Sequence, residues 1–345
     1  MQRCLALAQK GLGQVSPNPM VGAVIVREDR VIGEGYHEQF GGPHAEVKAI
    51  QSVTDQELLR DATLYVNLEP CNHMGKTPPC TEAILQTEIS RVVIGMSDLN
   101  PLVAGQGIQR LQEAGIQVST GIEEQKCLEL NRRFIVNQKE HRPYIILKWA
   151  QTADGFIARE DYSSKWISAE PSRKLVHRWR SEEDAVLVGT RTAQIDDPEL
   201  NVRLIDGRDP IRILLDERLE VPTEYNLYNG KQKTFLVSRT QPGQNSVEWI
   251  PWPESPKKSR TFWEQLLASL YSKNIGSIIV EGGSAILHSL IAHNLWDEAR
   301  IFKSPENFLK GIPAPGILQN PSSSTEVPTT EDLLSVYFRC KSNHQ

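Results

Sequence analysis

Cysteine is scarce in this sequence, which has five among 345 residues: Cys4, Cys71, Cys80, Cys127 and Cys340. Such a low and odd number argues against a disulfide framework in a chain of this length. Cysteines that lie near other polar residues are therefore better interpreted as metal ligands or reactive thiols.

The sequence also lacks an excess of positive charge and any long apolar run. Its formal net charge of −5 provides no overall field that would attract a phosphate backbone. No stretch of about eighteen apolar residues is present to span a bilayer, and the N-terminal segment lacks the apolar core and cleavage site of a secretion signal. We therefore expect a cytoplasmic protein that binds neither nucleic acid nor membranes.

What is present is the composition of a globular α/β protein, with 39% hydrophobic and 23% charged residues, and the length predicts two domains. In the first half, the strand-like runs MVGAVIV, TLYVNLE and RVVIGM alternate with helical segments. This alternation predicts crossover connections and a sheet covered on both faces. A single charged helix is predicted over residues 121–142 and ends before Pro143, which divides the chain into domains 1–142 and 143–345.

The second half repeats the alternation of strands and helices, from YIILKWA at residue 144 to SIIVEGG at residue 277. Residues 240–260 are rich in turn-forming residues and are predicted to be a loop. Between Lys303 and Thr330, Pro, Ser and Asn are frequent. That composition predicts an irregular or partly disordered segment before the closing strand SVYFRC.

Three residues of the first half have the pattern of metal ligands. His44 begins an apolar helical segment, Cys71 follows the strand TLYVNLE, and Cys80 begins a second helical segment. One imidazole and two thiolates leave the fourth position of a tetrahedral Zn²⁺ ion free for water, which is the arrangement of catalytic zinc sites. The sequence therefore predicts a catalytic zinc ion held by His44, Cys71 and Cys80.

Glu46, two positions after His44, is predicted to be the general acid and base at this zinc. The order H-x-E followed by P-C and a second cysteine is that of zinc deaminases, although the spacer between the cysteines is longer here. Two alternatives stay open: a closed structural zinc site with His73 as the fourth ligand, or ordinary buried residues. His73 could also line the pocket, bind substrate or cap the loop.

Residues 18 to 115 taken together resemble the deaminase domain of the bifunctional deaminase/reductase family of riboflavin biosynthesis. The matching segments are NPMVG at 18–22, GYH at 35–37, PHAE at 43–46, LEPC at 68–71, GKTPPC at 75–80 and residues 98–107. The resemblance implies a cytidine-deaminase-like three-layer α/β/α domain. It also implies substrate contacts from Asn18, His73, Lys76 and Thr77.

The second half resembles the reductase domain of the same family in KWAQTADGFI at 148–157, KWIS at 165–168, VGTRT at 188–192 and DDPELNVR at 196–203. The resemblance implies a dihydrofolate-reductase-like α/β domain that uses NADPH. The glycine pair after Glu281 is a weak signal alone, but in this context it would let backbone amides approach a cofactor phosphate.

By the same resemblance, each remaining site residue of the second domain receives a role. The expected catalytic residues are Lys148 and Asp196. The expected substrate-binding residues are Ser164, Arg180, Leu200, Arg203 and Glu281, the two arginines holding the phosphate, with ordinary surface ion pairs as the alternative for both. The expected cofactor-binding residues are Ala150, Trp166, Thr192, Asp196 and Gly283.

The resulting hypothesis is an enzyme with two successive activities, assembled as a homo-oligomer. Its first domain would deaminate 2,5-diamino-6-ribosylamino-4(3H)-pyrimidinone 5′-phosphate, and its second would use NADPH to reduce the ribose side chain, giving 5-amino-6-(5-phosphoribitylamino)uracil. One alternative is a zinc deaminase of nucleobases or nucleic acids with an accessory domain. Another is a zinc-stabilised binding or regulatory protein, against which Glu46 argues because a structural site has no use for that carboxylate.

Overall fold

The computed structural model describes residues 1–74, 78–99, 104–164, 167–316, 323–328 and 331–339. The chain divides into two compact units, Met1–His141 and Arg142–Gln345. Among the described residues, no helix has both the length and the apolar character needed to cross a membrane.

In its described residues, unit 1 is built on a five-stranded sheet with six α-helices. Its elements are α1 (Gln2–Ala8), β1 (Gly22–Arg27), β2 (Arg30–Tyr36), α2 (Ala45–Gln51), β3 (Thr63–Leu68), α3 (Cys80–Leu85), β4 (Arg91–Met96), α4 (Gln106–Glu113), β5 (Gln117–Ser119), α5 (Glu124–Leu130) and α6 (Arg132–Glu140). The strand order is β2-β1-β3-β4-β5. β1 is antiparallel to β2 and β3, whereas β3, β4 and β5 are mutually parallel.

Helices press against both faces of this sheet. A Cβ atom on Gly22 would lie 2.2 Å from the Cys4 carbonyl oxygen of α1. Gly35 is on the opposite face, since it pairs with Ala23, and a Cβ atom there would lie 2.6 Å from the Ala49 nitrogen of α2. The two glycines therefore permit a helix–sheet–helix sandwich in three layers.

The structure of unit 1 differs from the prediction at β2 and over residues 121–142. The second strand, β2, was not predicted, because its two glycines lower its strand propensity while they make room for α2. The predicted single helix over 121–142 is two helices, α5 and α6, which meet at Asn131. The side chain of Asn131 is buried and bonds both the nitrogen and the carbonyl oxygen of Met20, at 2.8 and 3.1 Å.

Unit 2 contains a nine-stranded sheet and four helices in its described residues. Its elements are β6 (Tyr144–Gln151), β7 (Phe156–Ala158), α7 (Glu170–Glu182), β8 (Ala185–Gly189), α8 (Thr190–Asp196), β9 (Ile211–Leu215), β10 (Thr234–Ser238), β11 (Glu248–Pro251), α9 (Arg260–Ser272), β12 (Ser277–Val280), α10 (Ser284–Ala292), β13 (Glu298–Lys303), β14 (Ile312–Pro313), β15 (Ser323–Pro328) and β16 (Leu333–Phe338). The large sheet has the order β11-β10-β9-β8-β12-β6-β13-β16-β15, and β7 pairs with β14 separately.

The central strands of the large sheet are parallel, and only its β13–β16 and β16–β15 pairs are antiparallel. All residues of the central strands β8 and β12 are buried, as expected for parallel strands covered on both faces. Because β8 and β12 run in the same direction, the residues that follow them meet at one edge of the sheet. Such an edge, at the carboxyl ends of parallel strands, is where α/β proteins bind ligands.

The predictions for unit 2 fail in the segments that were expected to be irregular. Residues 240–260 contain the strand β11, which extends the parallel sheet beyond β10. β13 was not predicted, and the segment before the closing strand contains β14 and β15. Residues 323–328 pair with β16 as the edge of the sheet, so sheet pairing overrides the weak strand propensity of their serines.

Candidate active sites

His44, Cys71 and Cys80 meet in unit 1, with their ligand atoms all within 4.8 Å of one another. Nδ1 of His44 lies 3.1 Å from Sγ of Cys80 and 3.5 Å from Sγ of Cys71. A tetrahedral zinc ion with ordinary Zn–N and Zn–S bonds separates nitrogen and sulfur by about 3.6 Å. The three donors therefore have the chemistry and spacing of zinc ligands.

Local structure fixes each of these donors. His44 precedes α2 as its N-cap residue in an extended conformation, and Cys80 is the first residue of α3. The backbone N–H of Cys80 donates to Sγ of Cys71 at 3.3 Å, and the N–H of Thr81 donates to the Cys71 carbonyl oxygen at 3.2 Å. The beginning of α3 therefore holds Cys71 beside Cys80.

The two thiols differ in their readiness to ionise. The hydrogen bond from the Cys80 thiol lowers the pKa of Cys71 to about 4, against the opposing effect of burial and with help from His44. The pKa of Cys80 is raised by that same hydrogen bond and by burial. The protein alone therefore favours the thiolate form of Cys71. Ionisation of Cys80 as well requires a nearby cation such as Zn²⁺.

Glu46 lies in the first turn of α2 and is 3% exposed. Burial raises the pKa of Glu46 to about 7, and the negative charge of Cys71 acts in the same direction. Cys71, His44 and Cys80 all act on the pKa of the Glu46 carboxyl group, so it lies beside the three donors. A carboxyl group poised near neutral pH beside a metal site is suited to moving protons.

Unit 2 contains a cavity of about 1060 Å³ that is open to solvent on one side. It lies at the edge where β8 and β12 end, and includes Gly189 and Glu281, the residues at those ends. Among its lining residues are ten that were predicted to act in catalysis or to bind substrate or cofactor: Lys148, Ala150, Ser164, Arg180, Thr192, Asp196, Leu200, Arg203, Glu281 and Gly283.

An ion cluster lies at the base of this cavity. Glu281 accepts two parallel hydrogen bonds from Arg180, at 2.6 and 2.8 Å, and Nζ of Lys148 lies 3.9 Å from its Oε2. Burial alone would raise the pKa of Glu281, but Arg180 and Lys148 together lower it to about 2. Burial lowers the pKa of Lys148, with the positive charge of Arg180 adding to that effect and the charge of Glu281 opposing it.

The comparisons with known proteins match a different family model to each of the two units. Residues 1–96 match the cytidine and deoxycytidylate deaminase zinc-binding region, and residues 143–311 match the RibD C-terminal domain. Riboflavin biosynthesis protein RibD of Synechocystis sp. is 39% identical over 321 residues, which cover 91% of this chain and 86% of that protein. The chain belongs to the RibD family.

Other members of the family extend the match. RibD of Aquifex aeolicus is 40% identical over 314 residues, covering 90% of this chain and 88% of that protein. The crystal structure of a diaminohydroxyphosphoribosylaminopyrimidine deaminase/5-amino-6-(5-phosphoribosylamino)uracil reductase from Thermotoga maritima is 37% identical. It superposes with a TM-score of 0.87 and the match covers 99% of this chain and 97% of that one.

Membership in the RibD family confirms the predicted fold classes, cytidine-deaminase-like in unit 1 and dihydrofolate-reductase-like in unit 2. The chain is a bifunctional deaminase and reductase of riboflavin biosynthesis, and its cofactors are zinc and NADPH. The alternatives of a nucleic-acid deaminase and of a zinc-stabilised binding protein do not account for a match over both domains.

The remaining predicted residues of unit 1 have different positions. Asn18 lies next to the site, because its Nδ2 is 3.1 Å from Nε2 of His37, whose ring packs edge-on against His44. His73 is exposed and lies outside the group of three donors, so the described residues do not form a closed four-ligand site. Lys76 and Thr77 lie outside the described residues.

In unit 2, the two arginines have different environments. Arg180 is largely buried and also donates to the Asn201 carbonyl oxygen at 3.0 Å, so it is not a surface ion pair. Arg203 is half exposed and pairs with Glu199 at 3.4 Å, which is the geometry of a surface ion pair at the rim of the cavity. Trp166 lies outside the described residues.

Sequence reasoning assigned no role to His37, although it stands in the matched segment GYH. Its Nδ1 lies 3.1 Å from the Pro43 carbonyl oxygen, which only accepts, so Nδ1 carries the proton. Burial lowers the pKa of His37, and its neutral Nε2 then accepts from Asn18. His37 therefore orients Asn18 and holds the segment that leads to His44.

Glu69, in the matched segment LEPC, was also missed. Its buried carboxylate accepts four backbone N–H groups: Asp98 at 3.0 Å, Gly105 at 3.1 Å, Gly107 at 3.0 Å and Ile108 at 3.3 Å. It thus caps the beginning of α4 and ties that segment to the chain just before Cys71. A charged residue before P-C was the available signal, but its partners are distant in sequence.

A third missed residue is His177, on the buried face of α7. Its Nδ1 accepts the backbone N–H of Arg203 at 3.2 Å, and Arg180, one turn later, donates to the Asn201 carbonyl oxygen. Burial lowers the pKa of His177 to about 4, with the charges of Arg180 and Arg203 adding to the effect. The neutral imidazole therefore anchors the segment that carries Leu200 and Arg203.

Proposed function

We propose that unit 1 deaminates 2,5-diamino-6-ribosylamino-4(3H)-pyrimidinone 5′-phosphate and that unit 2 reduces the ribose side chain of the product with NADPH. The proposal extends to this chain the two activities for which the Thermotoga maritima deaminase/reductase is named. The observation that carries it is the meeting of His44, Cys71 and Cys80 around a space that a zinc ion fits, with Glu46 buried beside it.

In unit 1, we assign His44, Cys71 and Cys80 as the zinc ligands. When bound, zinc supplies the Lewis acidity that makes water a nucleophile near neutral pH. Glu46 takes a proton from the attacking water and delivers it to the ring nitrogen next to the attacked carbon. It then takes the remaining proton of the hydroxyl group now bound to that carbon and passes it to the amine, which leaves as ammonia while the C=O bond forms. Its burial excludes bulk water, so the proton stays between the carboxylate and the substrate.

Binding of the pyrimidine in unit 1 is assigned to Asn18, with His73, Lys76 and Thr77 toward the phosphate. The orientation of Asn18 supports this assignment. Because its Nδ2 donates to His37, its Oδ1 is the atom left to accept a hydrogen bond from a substrate N–H.

When bound in unit 2, NADPH would supply the hydride that reduces C1 of the opened ribose, and the protein orients and polarises the reactants. Lys148, whose pKa is lowered by burial, is a suitable proton donor to the oxygen or nitrogen that becomes basic as C1 is reduced. Glu281 holds Lys148 and is itself held by Arg180. Asp196, at the end of α8, is assigned to the substrate and nicotinamide.

The two ligands of unit 2 share one cavity. Ser164, Leu200, Arg180 and Arg203 are assigned to the phosphorylated substrate, the two arginines binding its phosphate. Ala150, Trp166, Thr192 and Gly283 are assigned to the cofactor. Gly283 fits this role because its φ of 88° and missing side chain leave the backbone at the beginning of α10 accessible to a phosphate.

Two further properties belong to this proposal. The enzyme acts in the cytoplasm, where Cys71 and Cys80 stay reduced and available as ligands. It assembles as a homo-oligomer, as the family resemblance implies, which light scattering would test. A monomer at working concentration would contradict the second statement.

Zinc-loaded protein tests the proposal directly, because it should release ammonia from the substrate and then oxidise NADPH. The absence of both activities would overturn it. Replacing Glu46 with Gln should lower ammonia release by about 10³-fold or more while zinc stays bound, because general acid–base catalysis contributes on that scale. Glu57→Gln, at an exposed carboxylate of the same unit, is the matched control. Loss of zinc from Glu46→Gln would show that the role of Glu46 is wrong.

A further inference from the structure

Apart from the cluster around Glu281 and the rim residue Arg203, three cations among the described residues line the unit 2 cavity. They are Arg191, at the beginning of α8, and Lys257 and Lys258, just before α9. The guanidinium of Arg191 lies 4.7 Å above the ring of Tyr162, which is also part of the lining. Two elements distant in sequence therefore bring positive charge to one cavity.

The backbone of Lys258 is held in place. Its φ is 60°, in the left-handed region that non-glycine residues rarely adopt. Its carbonyl oxygen accepts from Oγ of Ser289 at 2.9 Å and lies 2.9 Å from Nε2 of His293, both on or next to α10. A strained backbone held by two side chains is typical of functional positions.

Lys148 and Lys258, both in the lining of this cavity, have different charged neighbours. The charges that act on Lys148 are those of Glu281 and Arg180. The pKa of Lys258 is lowered by burial and then by the positive charges of Lys257 and Arg191. Lys258 and these two neighbours are therefore a set of mutually repelling cations, and a bound anion would relieve that repulsion.

One acidic residue of the cavity lining, the one that pairs with Lys257, is already engaged. Glu217 accepts from Nε of Arg239 at 2.9 Å and pairs with Nζ of Lys257. Its pKa is lowered, first by the hydrogen bond from Lys257. Enzymes that select NADH use a free carboxylate to accept from the ribose 2′-hydroxyl, whereas those that select NADPH place cations there. Glu217, bonded to two cations, is poorly suited to accept that hydroxyl.

We infer that Lys258 and Arg191, with Lys257 beside them, bind the 2′-phosphate of NADPH and so make the reductase select NADPH over NADH. The inference rests on the proposed function, in which this cavity holds the cofactor. The 2′-phosphate is dianionic and exposed at the adenosine end of the cofactor, away from the nicotinamide. A site for it should therefore be cationic, lie at the rim and be separate from the Lys148–Glu281 pair.

Calorimetry with adenosine 2′,5′-bisphosphate and adenosine 5′-monophosphate tests this subsite without catalysis. We expect wild-type protein to bind the bisphosphate about tenfold or more tightly, with a preference that weakens as salt is raised. Lys258→Gln and Arg191→Gln should each remove most of the preference and leave binding of the monophosphate little changed. The matched control is Lys174→Gln on α7, which removes an exposed lysine outside the cavity lining.

Steady-state kinetics provide the second readout. In Lys258→Gln, KM for NADPH should rise about tenfold while KM for NADH changes less than twofold. An equal rise in KM for both cofactors, or no rise in KM for NADPH, would overturn the inference. Since Arg191 is exposed, Arg191→Gln keeps the test valid if Lys258→Gln does not fold. Wild-type protein that binds the bisphosphate preferentially but oxidises no NADPH would count against the proposed function alone.

Discussion

Replacing Glu69 with Gln would test whether a carboxylate distant from the metal supports the zinc site. Glu69 is 5% exposed, and each of its oxygens accepts two backbone N–H groups. Gln has the same shape, but an NH₂ group replaces one of the two acceptor oxygens. Two of the four backbone N–H groups would then face a donor instead of an acceptor. Hydrogen bonds to a charged group contribute about 1.5–3 kcal/mol each, so losing two of them should lower the free energy of unfolding of unit 1 by about 3 to 6 kcal/mol.

The consequence for zinc follows from the position of the carboxylate. Glu69 holds the beginning of α4 against the chain at Pro70, so closely that a Cβ on Gly107 would lie 2.1 Å from the Pro70 carbonyl oxygen. Cys71 is the next residue. Loosening this contact should misplace Cys71, and we expect zinc affinity to fall about tenfold or more, as it does when groups that orient metal ligands are removed.

Hydrogen exchange at the amides of Asp98, Gly105 and Gly107 is the assay for local stability, and competition with a chelator is the assay for zinc. All seven tryptophans are in unit 2, so their fluorescence reports independently that unit 2 is folded. Glu82→Gln, which removes a half-exposed ion pair with Arg110, is the control and should change little. Unchanged exchange and unchanged zinc affinity in Glu69→Gln would refute the reasoning.

The remaining predictions concern the substrate side of unit 2. The pKa of His177 is about 4 when folded and about 6.5 when unfolded, so the unfolded state binds more protons between these values and stability falls as pH drops from 6.5 to 4, by about 3 kcal/mol at most. His177→Asn keeps an acceptor without a titrating group and should lose that slope in tryptophan-detected unfolding; an identical slope in both proteins would contradict this. Arg180→Gln should lower NADPH oxidation about 100-fold and Arg180→Lys should restore only part of it, because lysine cannot donate two parallel bonds to Glu281; full activity of Arg180→Gln would count against the role of the pair.

The zinc site could be predicted from the sequence because the residues that identify it carry signals in their immediate sequence neighbourhood. His44 and Glu46 are two residues apart, and each cysteine stands next to a recognisable strand or helix end. The residues that orient the zinc site could not be predicted in the same way. Glu69 reaches partners 29 to 39 residues away, and those partners are backbone N–H groups that carry no sequence signal.

The fold could be predicted where patterns were strong and not where pairing decided the structure. The apolar runs of β1, β3 and β6 identify buried strands. β2 contains two glycines, and β11 lies in a segment rich in prolines. Each becomes a strand because a neighbouring strand offers backbone groups with which it can pair. The division at Asn131 depends on its contact with Met20, which is more than a hundred residues away.

The most direct test of two consecutive reactions at two separate sites is NADPH oxidation by Glu46→Gln, supplied in turn with the diamino substrate and with its deaminated product. With the diamino substrate we predict oxidation about 10³-fold slower than that of wild-type protein, or slower still, and with the deaminated product we predict wild-type oxidation, because this variant impairs only unit 1. A wild-type rate of NADPH oxidation with the diamino substrate, or no oxidation with the deaminated product while wild-type protein is active, would contradict the account.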